Sequence, residues 1–459
     1  MKTEDMHIIR ISLRPEDLKI ELQQLHDEGR DVDRLKREYE RLITSKNVCN
    51  GYFVEPEEIK KATLLLQKSQ QLPVRRGYKY FEPSELKSIK KCRPNTGKQY
   101  TKYKLPGQKA MKDKVLGAWL GRCAGCLLGK PVEGVKSSNL WHYLEATGQA
   151  PLKGYIKPAT EKVASKYNMK HSRLMVPFTA RCMPVDDDTN YTVTGFGILK
   201  TYGSQFTPEN VGKYWLSNIP FLSTCTAERV AYRNMACGIK PPESAVYLNP
   251  YREWIGAQIR ADFWGYASVG NPELAAEFAW RDACISHIKN GIYGEMWVSA
   301  MLAVAPFLDE PSEVIKAGLQ QIPARSRLAE AINRLLDLHK TNMKYTEVMA
   351  DIHKRWDEYN PHHWCHTISN AEIVASALLW GELDFTKSIC YAVEACFDTD
   401  CNGATVGSIV GMMIGAQNIP SKWTKPLNDT LLTTLIPYPK VSISKLAEET
   451  LSIQRTISS

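Results

Sequence analysis

The chain has 459 residues, with 59 Lys and Arg against 50 Asp and Glu, which gives a formal net charge of +9. Hydrophobic residues make up 43% and charged residues 24% of the chain, which is ordinary globular composition and excludes a disordered, collagen-like or small disulfide-stapled protein. The positive excess is local, because residues 75–114 contain thirteen basic and three acidic side chains. We therefore expect contact with an acidic partner, nucleic acid included, only through this basic arm.

The first hundred residues combine charged helical patterns with a segment that has no clear period. Amphipathic helices are predicted at about Pro15–Leu25, at about Val32–Ser45 and from Pro56 to about Leu72. Prolines 15 and 56 suit the first turns of helices. We therefore predict two domains, an N-terminal helical extension with a basic linker at 1–105 and a main domain at 106–459.

The twelve cysteines raise the question of the redox compartment. The N-terminal sequence MKTEDMHIIR lacks the apolar stretch of a secretory signal. Free thiols in a cytoplasmic protein are therefore the expectation. Cys123 and Cys126 form a CxxC pair within an apolar helical run, for which buried small residues and a zinc or redox pair are the two alternatives.

From about residue 113 onward, long apolar runs replace alternating patterns, which predicts an all-α class. Two predicted helices carry glycine at every fourth residue, along one face: 117, 121, 125 and 129 in the first, and 403, 407, 411 and 415 in the second. Glycine inside a helix costs about 0.5–1 kcal/mol relative to alanine, so the pattern indicates close approach of another backbone or a ligand. A membrane helix pair is the competing interpretation; Arg122 and lengths below the roughly 20 residues of a membrane span argue against it.

Two acidic clusters stand at predicted helix starts. Asp186, Asp187 and Asp188 precede one helix, and Asp398 and Asp400 precede the second glycine-bearing helix. One aspartate is enough to cap a helix, whereas several adjacent carboxylates repel one another unless they are solvated or bound to cations. Hard divalent cations prefer such oxygen ligands, so the clusters together predict a two-metal centre.

Four segments in this order resemble the ADP-ribosylglycohydrolases, or ADP-ribosyl-acceptor hydrolases, which include the glycohydrolase that reactivates ADP-ribosylated dinitrogenase reductase. The segments are GAWLGRCAGCLLGKPVEG (117–134), PVDDDTNYT (184–192), IGAQIRAD (255–262) and CFDTDCNGATVGSIVG (396–411). The resemblance covers roughly residues 106–420 and nothing in 1–105. It implies a compact multi-helix bundle, preceded here by the N-terminal extension.

The resemblance also implies roles for individual residues. The metal ligands for two Mg²⁺ or Mn²⁺ ions are expected among Asp186, Asp187, Asp188, Asp398, Asp400 and Asn402. The catalytic candidates are Glu133, which matches the glutamate beside the scissile bond, Asp187 and Asp400. The substrate-binding candidates are Gly256, Gln258 and Arg260 in the loop that approaches ADP-ribose in relatives, and the mid-chain His287.

This sequence departs from the family pattern at two positions. Asp186 and Cys401 stand where the family usually has ligand threonines. A thiol is a poor magnesium ligand, which favours a different metal such as manganese or looser binding of one ion. Asn402 offers an oxygen in its place.

The segment HHWCHT at 362–367 has two interpretations. Histidines 362 and 366 share a face only in a helix, where they would suit zinc, and Pro361 permits a helix start there. The alternative places His366 and Asn370 at the mouth of the active-site cleft, where they would bind substrate.

The resemblance and the acidic clusters together imply a metal-dependent glycosidase. The expected reaction is hydrolysis of the ribosyl C1 linkage of an ADP-ribosylated protein, or of a small ribosyl or nucleoside glycoside. The alternative is a catalytically impaired protein that keeps the fold and binds ADP-ribose or acts as a scaffold. No membrane partner is expected.

Overall fold

The computed structural model describes residues 12–95, 100, 103 and 106–458, and it is mainly helical. The only strands in this part of the chain form two short antiparallel pairs, β1 (Val48–Cys49) with β2 (Tyr52–Phe53) and β3 (Thr430–Leu432) with β4 (Lys440–Ser442). The predicted all-α class is confirmed.

The N-terminal extension is helical where predicted. Its helices are α1 (Pro15–Asp27), α2 (Lys36–Ile43), α3 (Pro56–Ser69) and α4 (Leu86–Lys91). Pro15 and Pro56 each occupy a first turn, where the missing N–H has no helical partner to lose. The first three helices enclose a small apolar core of their own, to which the rest of the chain contributes Leu248.

Buried ion pairs hold this extension against the rest of the protein. The Arg252 guanidinium is buried and lies 2.5 Å from a carboxylate oxygen of Glu21 and 2.7 Å from one of Glu28. The Lys289 ammonium adds a second contact to Glu28 at 2.7 Å. A buried charge that loses its partner is costly, so these contacts fix the orientation of α1. The domain division at 105/106 stays a prediction.

The described part of the basic arm pairs with acidic residues of the same chain. Lys79 contacts Glu330 at 2.8 Å, and Lys90 contacts Glu277 at 2.8 Å. Lys112 contacts Glu448 at 2.7 Å. These three contacts neutralise part of the arm's charge within the molecule; residues 96–99, 101, 102, 104 and 105 lie outside the described residues.

The main body contains the remaining helices, whose lengths follow the long apolar runs of the sequence. They are α5 (Gln108–Gly129), α6 (Ser137–Ala146), α7 (Glu161–Lys166), α8 (His171–Thr179), α9 (Asp187–Tyr202), α10 (Pro208–Asn218), α11 (Thr226–Ala236), α12 (Asp262–Ala267), α13 (Pro272–Ala283), α14 (Lys289–Val304), α15 (Pro311–Leu319), α16 (Arg327–Lys340), α17 (Tyr345–Arg355), α18 (Pro361–Cys365), α19 (Thr367–Gly381), α20 (Phe385–Glu394), α21 (Thr399–Ile414), α22 (Ser421–Thr424) and α23 (Ile443–Ser458).

The two glycine faces meet each other at the centre of the body. Helices α5 and α21 run antiparallel, so that position 117 faces 411, 121 faces 407, 125 faces 403 and 129 faces 399. A Cβ atom on any of these four α5 glycines would lie well under 3.0 Å from a carbonyl oxygen of α21. The predicted close approach of a second backbone is confirmed, and the partner is the other glycine-bearing helix.

The contact between the glycine faces of α5 and α21, which we call the glycine seam, lies within the protein interior. No helix in the described ranges is long and apolar enough to cross a membrane. All twelve cysteines are free, and Cys123 and Cys126 are buried on α5. The interpretation of this pair as buried thiols agrees with the absence of a disulfide among the described residues.

The carboxyl of Glu394 at the end of α20 supplies a pH-dependent contribution to stability. Burial raises its pKa from 4.5 to about 7, although the backbone N–H of Leu152 donates to it at 2.8 Å. Between these two values the unfolded chain has lost the proton and the folded chain retains it, so rising pH favours unfolding.

We expect the free energy of unfolding to fall by about 3 kcal/mol from pH 4.5 to pH values above 7, relative to Glu394→Gln, which cannot titrate. Urea unfolding of both proteins across this range measures the difference. Parallel pH profiles for the two proteins would contradict the assignment to Glu394.

Candidate metal centre

The first acidic cluster opens α9 and is held by α5. Asp186 is the N-cap residue, and its side chain accepts a hydrogen bond from the backbone N–H of Asp188 at 3.1 Å. The Asp188 carboxylate is fully buried, with one oxygen 3.3 Å from the guanidinium of Arg122. Its other oxygen is buried and has no hydrogen-bond partner. Asp188 therefore directs a free acceptor into the interior.

Arg122 is the structural counter-charge of this cluster. It is fully buried on α5 and also contacts Asp262 at 2.8 Å and the hydroxyl of Thr192 at 2.6 Å. An arginine with several partners can fix a buried carboxylate while leaving one of its oxygens available. No site role is predicted for Arg122, because a single basic residue in an apolar run forms no pattern.

The second acidic cluster opens α21. Asp398 is its N-cap residue, and Asp400 lies in its first turn with one oxygen accepting from the backbone N–H of Cys401 at 3.1 Å. The amide oxygen of Asn370 accepts from the backbone N–H of Asp398 at 3.2 Å and from the Asn402 side chain at 2.8 Å. The Asn402 side-chain oxygen is buried without a partner.

The glycine seam brings the two clusters together, since it places the start of α21 beside the end of α5. Possible ligand atoms of Asp188, Asp400 and Cys401 all lie within 4.8 Å of one another. Those of Cys126, Asp186 and Asp188 form a second such group. The predicted convergence of the two helix starts is therefore observed, and both groups include Asp188.

The acids of the centre resist simultaneous ionisation. Burial, together with the charges of neighbouring carboxylates, raises the pKa values of Asp187, Asp188 and Asp400 well above the usual range. The pKa of Asp398 rises to about 7, mainly through burial and through the Glu133 charge. A bound cation would relieve this repulsion, and the orphaned oxygen of Asp188 is a suitable ligand, so the donor set fits a divalent ion.

Glu133 lies in the turn that follows α5, next to the acidic centre. Its carboxylate is half-exposed and contacts Arg173 at 3.0 Å. The Lys130 ammonium in the same turn contacts Asp186 at 2.6 Å, and nearby carboxylates raise the pKa of that lysine despite its burial. Glu133 thus lies beside the acidic centre, and its catalytic role stays a prediction; Lys130, Arg173 and Cys126 were not predicted to lie there.

The 256–260 loop lies in the protein interior. Arg260 is buried, with carboxylate contacts to Asp282 at 2.5 Å and Glu228 at 2.7 Å, and it lies over the Trp215 ring. Gly256 packs against the Glu228 carboxylate, where a Cβ would collide with it, and the amide of Gln258 is buried without a partner. The contacts of Arg260 are those of an interior ion pair; substrate binding by this loop stays a prediction.

His287 is also buried. Its Nδ1 lies 2.8 Å from the Ser286 hydroxyl, and Nε2 has no hydrogen-bond partner. Burial and the nearby Arg260 charge lower its pKa well below the usual range, so the ring is neutral. Its role as a substrate contact stays a prediction.

His362, on α18, and His366, the N-cap of α19, form hydrogen bonds that oppose the zinc interpretation. His362 Nδ1 accepts from the Trp254 indole at 3.1 Å, so its Nε2 carries the proton that it donates to Asp27 at 3.0 Å. His366 Nδ1 likewise accepts from the backbone N–H of Ile368 at 3.0 Å. Since each Nδ1 accepts, each Nε2 carries the ring hydrogen, although Asp27 and both histidines lie close enough to share an ion.

His366 and Asn370 connect this region to the acidic centre. The Asn370 amide donates to the backbone oxygens of Trp364 and His366, each at 3.0 Å, while its oxygen holds the start of α21. Both side chains are buried, which gives Asn370 a positioning role. Direct contact of His366 or Asn370 with substrate stays a prediction.

Comparison with known proteins identifies the family. The sequence profile described as ADP-ribosylglycohydrolase matches residues 107–456, well over half of the chain. The chain belongs to the ADP-ribosylglycohydrolase family. Membership indicates a hydrolase acting on ADP-ribosylated substrates, and the acidic groups described above are able to hold metal.

Other comparisons add little to this assignment. Among solved structures, a chain described as "ADP-ribosylglycohydrolase-related protein complex" is 21% identical over 76% of this chain and 99% of its own length, with a TM-score of 0.47. No curated protein matches.

Proposed function

We propose that this protein is a metal-dependent hydrolase that cleaves the ribosyl C1 glycosidic linkage of ADP-ribosylated acceptors or of a related ribosyl glycoside. The observation that carries the proposal is the convergence of two acidic helix starts beside Glu133. Orphaned buried oxygens on Asp188 and Asn402 support it, because each lacks the hydrogen-bond partner that a buried acceptor normally has and lies among the converging acids.

The acidic residues have two tasks in this reaction. Asp188 and Asp400 would hold a divalent cation. The other candidate ligands lie around them: Asp186, Asp187, Asp398 and Asn402. The cation would supply a Lewis-acid contact for the ribose hydroxyls and so orient the sugar. Cleavage at C1 develops oxocarbenium character, and the surrounding carboxylates stabilise that positive charge. The presence of two ions, either Mg²⁺ or Mn²⁺, stays a prediction from the sequence.

Glu133 is the best-placed general base or acid. It is the one predicted catalytic residue that is half-exposed, so it is accessible to water, and Arg173 fixes its orientation. A carboxylate in this position accepts a proton from the attacking water or protonates the leaving group. Asp187 is the alternative, since it is partly exposed at the start of α9.

A second function, the binding of ADP-ribose without cleavage, is favoured by two features of the centre. Arg173 forms an ion pair with Glu133, the proposed general base or acid. Cys401 stands where the family usually has a ligand threonine. The two functions differ in one observable, the release of free ADP-ribose.

The deciding experiment is a panel of Arg-, Ser- and nucleobase-linked ADP-ribose substrates, each assayed with Mg²⁺ and with Mn²⁺. We expect release of ADP-ribose from at least one linkage, and a loss of about 100-fold or more in Glu133→Gln. Glu145→Gln, which changes an exposed carboxyl on α6, is the matched control and should retain full turnover. Binding of ADP-ribose with no release from any substrate would establish the second function instead.

A further inference from the structure

A lysine ammonium lies at one of the two groups of possible metal ligands. Lys130 follows the last residue of α5, and its Nζ is 2.6 Å from an Asp186 oxygen that is almost fully buried. Its charge also interacts with Cys126 and Asp400. The group of Cys126, Asp186 and Asp188 therefore already has a cation of the protein's own beside it.

In the other group only Asp188 has, among the described residues, a cation at ion-pair distance, since Arg122 contacts one of its carboxylate oxygens. Within the part of the chain that the structure describes, Asp400 has no lysine, arginine or histidine at ion-pair distance, and one of its oxygens accepts only from the Cys401 backbone. Its companions are the Cys401 thiol and the Asp188 carboxylate, whose second oxygen is buried without a partner. The Asn402 side-chain oxygen, one residue further along α21, is also buried and unpartnered. Two orphaned oxygens thus accompany a group in which Asp400 has no described cation at ion-pair distance.

We propose that this centre takes one divalent ion, bound by Asp188, Asp400 and the sulfur of Cys401, and that the Lys130 ammonium occupies the place of a second ion at Asp186. The inference rests on the proposed function, because it concerns the same centre. It replaces the sequence expectation of two divalent cations. When the ion binds, Cys401 releases its thiol proton to solvent and a metal–sulfur bond forms.

A mixed oxygen and sulfur donor set has a predictable metal preference. Thiolate favours borderline ions such as Co²⁺ and Zn²⁺ over Mg²⁺, which prefers oxygen ligands in octahedral geometry. Cys401 is buried, and its sulfur lies within 4.8 Å of carboxylate oxygens of Asp188 and Asp400. A bound divalent ion would supply the positive charge that a thiolate ligand requires.

The test uses the full chain, freed of metal by a chelator and titrated with Co²⁺, Zn²⁺ and Mg²⁺. Calorimetry gives the number of ions per chain, and absorption of the Co²⁺ form reports a near-ultraviolet sulfur-to-cobalt charge-transfer band. We expect one ion per chain and a clear band. Lys130→Gln should bind a second ion.

Two cysteine variants locate the sulfur ligand. Cys401→Ser should lose the band and bind Co²⁺ and Zn²⁺ about tenfold or more weakly, with a smaller change for Mg²⁺. Cys126→Ser, which changes the thiol of the lysine-occupied group, should keep the band. Cys401→Thr gives a second replacement by a hydroxyl if the serine variant does not fold, and thermal unfolding verifies the fold of each.

Each outcome bears on the inference. Two ions in the unmodified protein would overturn the role of Lys130, and an absent band, or a band that persists in Cys401→Ser, would overturn the sulfur ligand. Binding of no ion would overturn this inference and the metal dependence of the proposed function together. One ion with the sulfur band but no hydrolysis of any substrate would count against the proposed function alone.

Discussion

Gly129→Ala is expected to lower the free energy of unfolding by about 2 kcal/mol and to weaken divalent-metal binding by about tenfold or more. A Cβ at this position would overlap the carbonyl group of Thr399 and the backbone nitrogen of Asp400. Backbone cannot rotate away as a side chain can, so the start of α21 must move. The overlap outweighs the gain of about 1 kcal/mol that alanine brings to a helix interior.

Gly117→Ala provides the matched control at the other end of the same seam. Its Cβ would overlap the Gly411 carbonyl, far from the acidic centre along α21, so it should cost similar stability while leaving the metal affinity of the folded protein unchanged. Gly154→Ala, which faces open space, should change stability by less than about 0.5 kcal/mol. Urea unfolding and calorimetric metal titration separate the two effects. Equal metal affinities in the Gly129 and Gly117 variants would show that the seam does not position Asp400.

The glycine pattern illustrates how far the sequence carries the fold. The four-residue spacing predicts the close approach of another backbone or of a ligand to each helix, because either explains so many glycines. It does not identify the partner, since each alternative requires the same spacing. The antiparallel register that places position 129 against 399 is a property of the assembled body, and it is what brings Glu133 and Asp400 to one place.

The partners of charged residues are predictable from the sequence only where the residues stand in a local pattern. Asp186 and Asp400 stand in acidic clusters at helix starts, a local pattern that predicts their convergence. Arg122 and Lys130 are single basic residues in apolar or turn segments, so their partners depend on tertiary contacts alone. The side chain of Arg260 illustrates the same limit, because residues in a loop have no periodicity that tells an inward from an outward direction.

The second large effect concerns the carboxylates of the centre. Asp400→Asn is expected to weaken divalent-metal binding by about 100-fold or more and to abolish hydrolysis, yet to stabilise the metal-free protein by about 1 kcal/mol. Neighbouring carboxylates and burial raise the pKa of Asp400 well above the usual range, so its ionised form is unfavourable without a cation. An amide of the same size removes that repulsion. Calorimetric titration and urea unfolding in chelator measure the two quantities on one sample.

Asp188→Asn should have the opposite effect on stability, although it weakens metal binding as well. The Asp188 carboxyl contacts the buried Arg122, whose charge opposes the burial and the neighbouring acids that raise the pKa of Asp188, so the variant loses this contact and should cost about 1–3 kcal/mol. The two substitutions are thus expected to change the free energy of unfolding of the metal-free protein in opposite directions, because Asp188 has a buried counter-charge and Asp400 depends on the ion. If Asp187→Asn combined with Asp400→Asn left metal binding unchanged, the metal centre itself would be wrong. If instead both Asp188→Asn and Asp400→Asn stabilised the metal-free protein, Arg122 would be excluded as the counter-charge that holds Asp188 in place.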